Sequence, residues 1–262
     1  MISIVIPVYE MKGLGVSFLR RGLDSINKQV LDTQYPIEII VSDHSKDTQI
    51  ADFIQTYLSR FPLRHCLNSS GHGNISQNVN FGIAQAQHPY IKILFQDDLL
   101  VETCYLKTIA EIIREQSPDC IFTSATHTTN TVEFTGDMVP RNNEFLLFGQ
   151  NTVSDPSVLT IRKSILEEIP FDENVKLLMD CEFYYHLFKH YPNFYLAKDI
   201  RIAIGVWSGQ TQGDLTTSHT VAEIAYLLTK YPNDGLREKV ASYCTFLADK
   251  DTALAKALRK II

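Results

Sequence analysis

Two adjacent carboxylates, Asp97 and Asp98, close the apolar run Tyr90-Ile-Lys-Ile-Leu-Phe-Gln96, which reads as a buried strand. In an open α/β sheet, ligands gather outside the carboxyl ends of the strands. Two acids side by side at such an end repel each other unless a cation or a ligand's hydroxyl groups use them. Their plainer role is to cap the helix that follows. A second polar cluster, Ser42-Asp-His-Ser-Lys-Asp47, ends the β-branched run at residues 37–41. Asp43 could accept there from a pyrimidine imide or a ribose hydroxyl, because Asp47 and Thr48 are better placed to cap the next helix.

Glycine-rich phosphate cradles are absent. Ile6 runs into Pro7-Val-Tyr-Glu10, with only Gly13 and Gly15 beyond, so there is no G-x-G-x-x-G turn and no G-x-x-x-x-G-K-[ST] loop. Any nucleotide phosphate then needs another counter-charge, and a divalent cation on the Asp97/Asp98 pair would supply it. Trp207, the single tryptophan, is a candidate to stack a sugar ring, whereas Phe183, Tyr184 and Tyr185 on one helix read as core. His186 and His190 lack the acid of an H-E-x-x-H pair and read as packing or surface residues. The five cysteines are odd in number and none are spaced C-x-x-C, which supports neither a disulfide framework nor a zinc site. Lys92 interrupts an otherwise apolar strand, and the sequence offers no function for it.

Regular elements must position these groups. Residues 2–6 and 37–41 read as buried parallel strands, and residues 14–29 and 48–58 as amphipathic helices with apolar residues at i, i+3 and i+4. A polar loop at 68–74, a short helix near 76–87, the strand ending at Asp97, a helix over 101–116 and a strand at 120–125 continue the alternation. Residues 126–150 are polar and suggest a hairpin or a mobile segment. Beyond them the pattern predicts strands at 157–161 and 200–207, helices at 162–168 and 177–190, and two or three helices from 221. This divides the chain into an α/β domain over 1–220 and a helical extension over 221–262.

The chain has 262 residues, 45% hydrophobic and 21% charged, enough to bury a sizeable core. A net charge of −6 argues against a nucleic-acid partner held by a broad basic face. No run reaches membrane-spanning length and no signal-peptide pattern opens the chain, so a cytoplasmic protein is expected. The amphipathic tail at 250–262, with Lys256, Arg259 and Lys260, can dock on the core, meet another subunit or touch the inner face of a membrane; core docking is the default.

Five segments in order, Ser3-Ile-Val-Ile-Pro-Val-Tyr9, Leu23-Asp-Ser-Ile-Asn-Lys-Gln29, Ile40-Val-Ser-Asp-His-Ser-Lys-Asp47, Gly73-Asn-Ile-Ser-Gln-Asn-Val-Asn-Phe-Gly82 and Gln96-Asp-Asp98, resemble family 2 glycosyltransferases. Weaker similarity continues through Asp155-Pro-Ser157 and the run from Phe171 to Asp180. The resemblance implies a GT-A (Rossmann-like) fold: a mixed, mostly parallel sheet flanked by helices, with helices at the C-terminus. It implies an inverting transfer of a sugar from a nucleotide-diphosphate donor, UDP foremost, to a saccharide or lipid-linked acceptor, with Mn or Mg as cofactor and bacterial surface polysaccharide as the setting.

Carried over by position, Pro7, Tyr9 and Glu10 would line the base and ribose, Asp43 would bind the uracil imide, and Asn78 and Asn80 would face the pocket. Asp97 would hold the ribose or a sugar hydroxyl, Asp98 would ligate the metal, and Asp180 would be the catalytic base. Four departures stand out. The paired acids Asp-Asp-Gly of the second strand read Ser42-Asp43-His44. The first acid of the usual Asp-x-Asp-Asp is Phe95. The Glu-Asp before the base helix is Met179-Asp180, with Glu182 as a rival base. The segment where a late histidine often completes the metal site reads Val206-Trp-Ser-Gly-Gln210, leaving His219 as substitute. These departures keep alive a catalytically impaired sugar-nucleotide-binding protein. A nucleotidyltransferase would want a basic, glycine-rich loop in place of Pro7–Glu10.

Overall fold

In the computed structural model, residues 1–31, 35–210 and 216–262 are described. Strand β1 (Ile2–Val8) is fully buried. Its Ile2, Ile4, Ile6 and Val8 point into one apolar cluster and Val5 into a second on the other face of the sheet. β2 (Ile37–Asp43) repeats this alternation, with Ile37, Ile39 and Val41 on the first side and Ile40 on the second. The two-residue period therefore feeds two cores at once, as expected of a sheet covered on both faces.

Helix α1 (Gly15–Asn27) buries Phe18, Leu19, Leu23 and Ile26, the stripe the sequence predicts, while Leu14 is an exposed cap. α2 (Gln49–Thr56) follows β2. β3 (Leu63–Leu67), an edge strand absent from the sequence expectation, pairs in parallel with β2. α3 (Ile75–Gln85) leads into β4 (Tyr90–Ile93), which is shorter than expected because the chain leaves the sheet at Leu94, four residues before Asp98. Next come β5 (Leu99–Leu100), α4 (Tyr105–Gln116) and β6 (Cys120–Thr128). The hairpin suggested for 126–150 is present: β7 (Thr135–Met138) pairs antiparallel with β6. β8 (Leu159–Arg162), α5 (Lys163–Glu168), α6 (Met179–His190) and β9 (Phe194–Gly205) complete the sheet and its cover.

The strand order is β3-β2-β1-β4-β8-β6-β9-β5. β1 to β4, β6 and β9 run in one direction, and β5, β7 and β8 run against them. As a result the carboxyl ends of β1, β2, β4 and β9 and the amino end of β8 all open on one edge.

Three helices end the chain: α7 (Thr217–Lys230), α8 (Leu236–Phe246) and α9 (Thr252–Leu258). α7 begins before the expected boundary at residue 221. Its Ile224 and Leu227, Val240 of α8 and Leu258 of α9 join the same apolar cluster as β1 and β4 residues. The tail thus docks through Ala255 and Leu258 while Lys256, Arg259 and Lys260 face solvent. Among the described residues no helix is long and apolar enough to cross a membrane.

Candidate active site

The turn leaving β1 is braced by Gln96. Its Oε1 accepts the Tyr9 N–H at 2.9 Å and its Nε2 donates to the Gly15 carbonyl at 2.7 Å. Met11, Lys12 and Gly13 all have positive φ (44°, 54° and 90°), a tight left-handed turn that the Glu10 carbonyl closes by accepting from Gly13 and Gly15. Gly15 is required sterically, because a Cβ there would lie 2.5 Å from the Tyr9 carbonyl oxygen. Tyr9 is 37% exposed and Glu10 half-buried, so this loop presents side chains at the edge while Pro7 stays inside the strand.

At the end of β2 the geometry departs from the sequence expectation. Asp43 is buried, with Oδ1 accepting from Ser45 N at 2.9 Å and Oδ2 paired with His65 Nε2 of β3 at 2.7 Å. Asn78 is also internal: its Nδ2 donates to the Ser42 and Val8 carbonyls and its Oδ1 accepts from Ser42 Oγ. Asn80 clamps the backbone of Phe171 with both amide atoms, at 3.0 and 2.9 Å. Two residues apart on a helix are about 200° apart, so Asn78 and Asn80 cannot face one pocket. Both asparagines therefore brace the scaffold, Asn78 from within and Asn80 from the wall of a cavity. Ser45 Oγ, by contrast, is buried with no partner among the described residues, an unfilled donor beside Asp43.

The acidic pair splits in the opposite sense to the one expected. Asp98 is buried, its Oδ1 accepting from Gly205 N at 2.9 Å and its Oδ2 from Ser157 Oγ at 2.5 Å. Asp97 is also buried but less completely, 9% exposed, with Oδ2 accepting from Trp207 Nε1 at 3.0 Å. Gly205 is obligatory at the crossing, because a Cβ would sit 2.3 Å from the Asp97 carbonyl oxygen.

A third carboxylate, Asp155, packs on Asp98 and accepts from Ser157 N at 3.0 Å as the cap of a 3-10 turn. Burial, with Asp155 and Asp97 close by, pushes Asp98 well above the usual carboxylate range. Burial also raises Asp97, against the pull of the Trp207 bond and the Arg21 charge, and brings Asp155 up to about 6. Lys92 finds its explanation beneath this group. It is fully buried and is pushed down to about 7 by burial. It lies in the field of Asp155 and Asp98, with its hydrogen bond going to the Ser157 carbonyl.

Asp180 opens α6. Its Oδ1 accepts from Cys181 N and its Oδ2 from Asn151 Nδ2, each at 2.7 Å. Burial pushes its carboxyl up to about 6. Asn151 joins Asp180 to the turn that carries Asp155, since its Nδ2 donates both to Asp180 Oδ2 and to the carbonyl of Ser154, the residue before Asp155.

The rival base does not share it. Glu182 is 3% exposed and accepts from Lys230 Nζ at 2.8 Å and from Tyr231 Oη. It faces a separate cavity of about 530 Å³ with Asn80, Phe171, His186 and Lys230, roughly 200° round the helix from Asp180. Trp207 is not a free platform either, since its indole N–H holds Asp97, its ring packs 5.3 Å from Phe18, and Gly209 lies against its edge. His219 caps α7, its Nδ1 accepting from Thr216 N at 3.1 Å.

Of the Asp97/Asp98 pair, Asp97 is the less enclosed and would be the one to hold a divalent cation. Among the described residues no group of three or more His, Cys, Asp or Glu side chains is arranged to hold a metal. A magnesium-like ion on a diphosphate needs only one or two protein carboxylates, and three acids raised together are a field that a cation would relieve.

Sequence reasoning missed Ser45, Asn151 and Asp155 as site residues. Only the Asp155-Pro-Ser157 string, an N-cap before proline, carried a signal for the last.

The family model described as Glycosyl transferase family 2 matches residues 3–170. Among solved structures, that of S. aureus TarS superposes with a TM-score of 0.67 at 17% identity, over 94% of this chain and 42% of TarS. The chain thus spans less than half the length of that protein. TarS 1-349 in complex with UDP gives 0.68 at 16% identity over 96% and 73% of the two chains, and its complex with UDP-GlcNAc gives 0.70 at 17% over 94% and 71%. At this identity the likeness shows a shared GT-A-like fold. No curated protein matches significantly.

Proposed function

The chain belongs to glycosyl transferase family 2, and from that premise we propose that it moves a sugar from a UDP-sugar to an acceptor hydroxyl with inversion at the anomeric carbon. The observation that supports this reading is a chain of contacts: Asp98, beside Asp97 at the end of the β4 segment, bonds Asp155, and Asn151 joins the turn before Asp155 to Asp180 at the start of α6.

An acceptor hydroxyl is a poor nucleophile until a carboxylate takes its proton. Asp180, with its pKa at about 6, is largely ionised at neutral pH yet more basic than an ordinary carboxylate. With one base on the face opposite the leaving group, Asp180 takes the acceptor's proton as the acceptor oxygen bonds to the anomeric carbon and the bond to the diphosphate breaks, a single displacement with inversion that lacks the nucleophilic carboxylate of retaining hydrolases. Tyr9, Glu10 and Ser45 at the ends of β1 and β2 would meet the nucleoside, with Asp43 fixed behind them by His65. Asp97 would hold a Mn or Mg ion, whose contribution is to neutralise charge building on the departing diphosphate. The UDP and UDP-GlcNAc complexes of TarS support UDP as the carrier. A saccharide or lipid-linked acceptor in surface polysaccharide synthesis completes the proposal.

Calorimetric titration with nucleotides, with and without Mg, tests the donor half. UDP should bind more tightly than ADP or GDP, and more tightly still with the metal. Equal affinity for all three would overturn the uridine assignment. The anomeric configuration of the product, read by NMR, tests inversion.

A further inference from the structure

We propose that Asn151 is a positioning residue of the transfer reaction, holding the Asp180 carboxylate in the orientation in which it takes the acceptor's proton. This rests on Asp180 being the base.

The Asn151 side chain is used to capacity. Its Oδ1 accepts from Val153 N at 2.9 Å and Ser154 N at 3.0 Å, while its Nδ2 donates to the Ser154 carbonyl at 3.0 Å and to Asp180 Oδ2 at 2.7 Å. Both acceptor lone pairs and both donor hydrogens are engaged, which leaves no second way to place the amide. With oxygen and nitrogen exchanged, a carbonyl would face a carboxylate and two backbone N–H groups would lose their acceptor. The amide nitrogen is therefore aimed at Asp180 by the turn.

The turn is strained to achieve this. Ser154 has φ +98°, a region in which non-glycine residues cost of order 1–3 kcal/mol. That conformation presents both the N–H and the carbonyl of Ser154 to one side chain. Residues 152–154 are buried, and Thr152 is tied to Arg141 through both its hydroxyl and its carbonyl. A rigid, strained segment with a saturated amide at one end is an expensive way to close a loop, and a direct way to fix a donor on a carboxylate.

The groups facing Asp180 are Asp155 from the 3-10 turn and Cys181 and Tyr184 from its own helix. None of these is a cation. The hydrogen bonds from Asn151 and Cys181 are what restrain a carboxyl that burial raises.

The deciding variant is Asn151→Asp, which keeps the shape and the Oδ1 acceptor of the turn but replaces the donor to Asp180. Release of UDP from a UDP-sugar would be followed from pH 5 to 9, with UDP affinity measured in parallel. The expected result is a fall in kcat on the order of 10–100-fold. The acid limb of the profile should move up by about one pH unit or more, because the variant removes a donor and sets a second carboxyl group against Asp180, and both disfavour the charged carboxylate. UDP affinity should be unchanged. If Asn151→Asp does not fold, Asn151→Ser, which retains a short acceptor, gives the same two readouts.

Turnover lost in Asp180→Asn but unaltered in Asn151→Asp, with an unmoved acid limb, overturns this inference alone. Turnover that survives Asp180→Asn overturns the base assignment and the inference with it. Failure of both Asn151 variants to fold overturns it as well, since the amide would then be holding the fold.

Discussion

Replacing Asp180 by asparagine removes the base and also removes a carboxylate that the fold holds at an energetic disadvantage, so activity and stability should move in opposite directions. The carboxyl sits at about 6 against an ordinary 3.8, and burial is the main cause. An acid whose folded pKa is raised binds its proton more tightly in the native state. Its penalty is absent below the unfolded pKa, grows as pH rises between the two values and is complete above the folded one. With those two values the penalty is about 0.5 kcal/mol at pH 4, about 1.6 at pH 5 and about 3 at pH 8. The pH 8 figure is a ceiling, because Asp180 is only partly buried by surface area and asparagine accepts the Cys181 N–H less strongly than a carboxylate does. Urea unfolding of wild type and Asp180→Asn at pH 5 and pH 8 reads the difference. The variant should be the more stable protein, with its advantage larger at pH 8 by about 1 kcal/mol. A gain independent of pH, or a loss at pH 8, would refute the reasoning. It would mean that Asp180 is paid for by partners that favour its charged form.

Other substitutions separate the roles of neighbouring residues. Glu182→Gln weakens the buried contact with Lys230 and Tyr231, and should lower stability by about 1–3 kcal/mol while leaving kcat for UDP release within about twofold. Trp207→Phe keeps a ring against Phe18 but loses the N–H to Asp97. It should raise the donor KM on the order of tenfold with a smaller change in kcat, as expected for a hydrogen bond to a charged group. Because Trp207 is the single tryptophan, wild-type fluorescence should also change on UDP titration. Ser154→Gly relieves the positive φ and should raise the melting temperature by about 2–4 °C, a shift that calorimetry resolves.

The first hundred residues were legible because strand and helix periods there are clean: the alternation in β1 and β2 and the stripe of α1 are the very residues that fill the two cores. β3 escaped because Leu-Arg-His-Cys-Leu is a half-exposed edge strand with no buried face to pattern. The sequence places its candidate acids at a strand end, and the structure adds which of them are tied to internal partners. Asp97 and Asp98 are neighbours in sequence, yet the chain leaves β4 at Leu94, and only the turn that follows decides which carboxylate is the less enclosed. Asp43, Asn78 and Asn80 look like ligand residues because polar side chains at strand ends and on a pocket helix usually are. Their partners, His65, Ser42 and Phe171, are 22, 36 and 91 residues away and invisible to local pattern. Lys92 was unreadable for the same reason, since Ser157, which accepts its hydrogen bond, and Asp155 lie more than 60 residues away. The strained Ser154 leaves no mark in composition at all.

The central claim is that Asp180 takes a proton at a site where Asp97 meets a nucleotide-sugar. UDP release from a panel of UDP-sugars, with an acceptor saccharide present, tests it most directly when wild type and Asp180→Asn are compared at matched UDP occupancy. The wild type should show metal-stimulated turnover of at least one donor, the variant a loss of about 100-fold or more, and both the same UDP affinity. Equal turnover by the two proteins, or no turnover of any donor by a wild type that binds UDP, would contradict it.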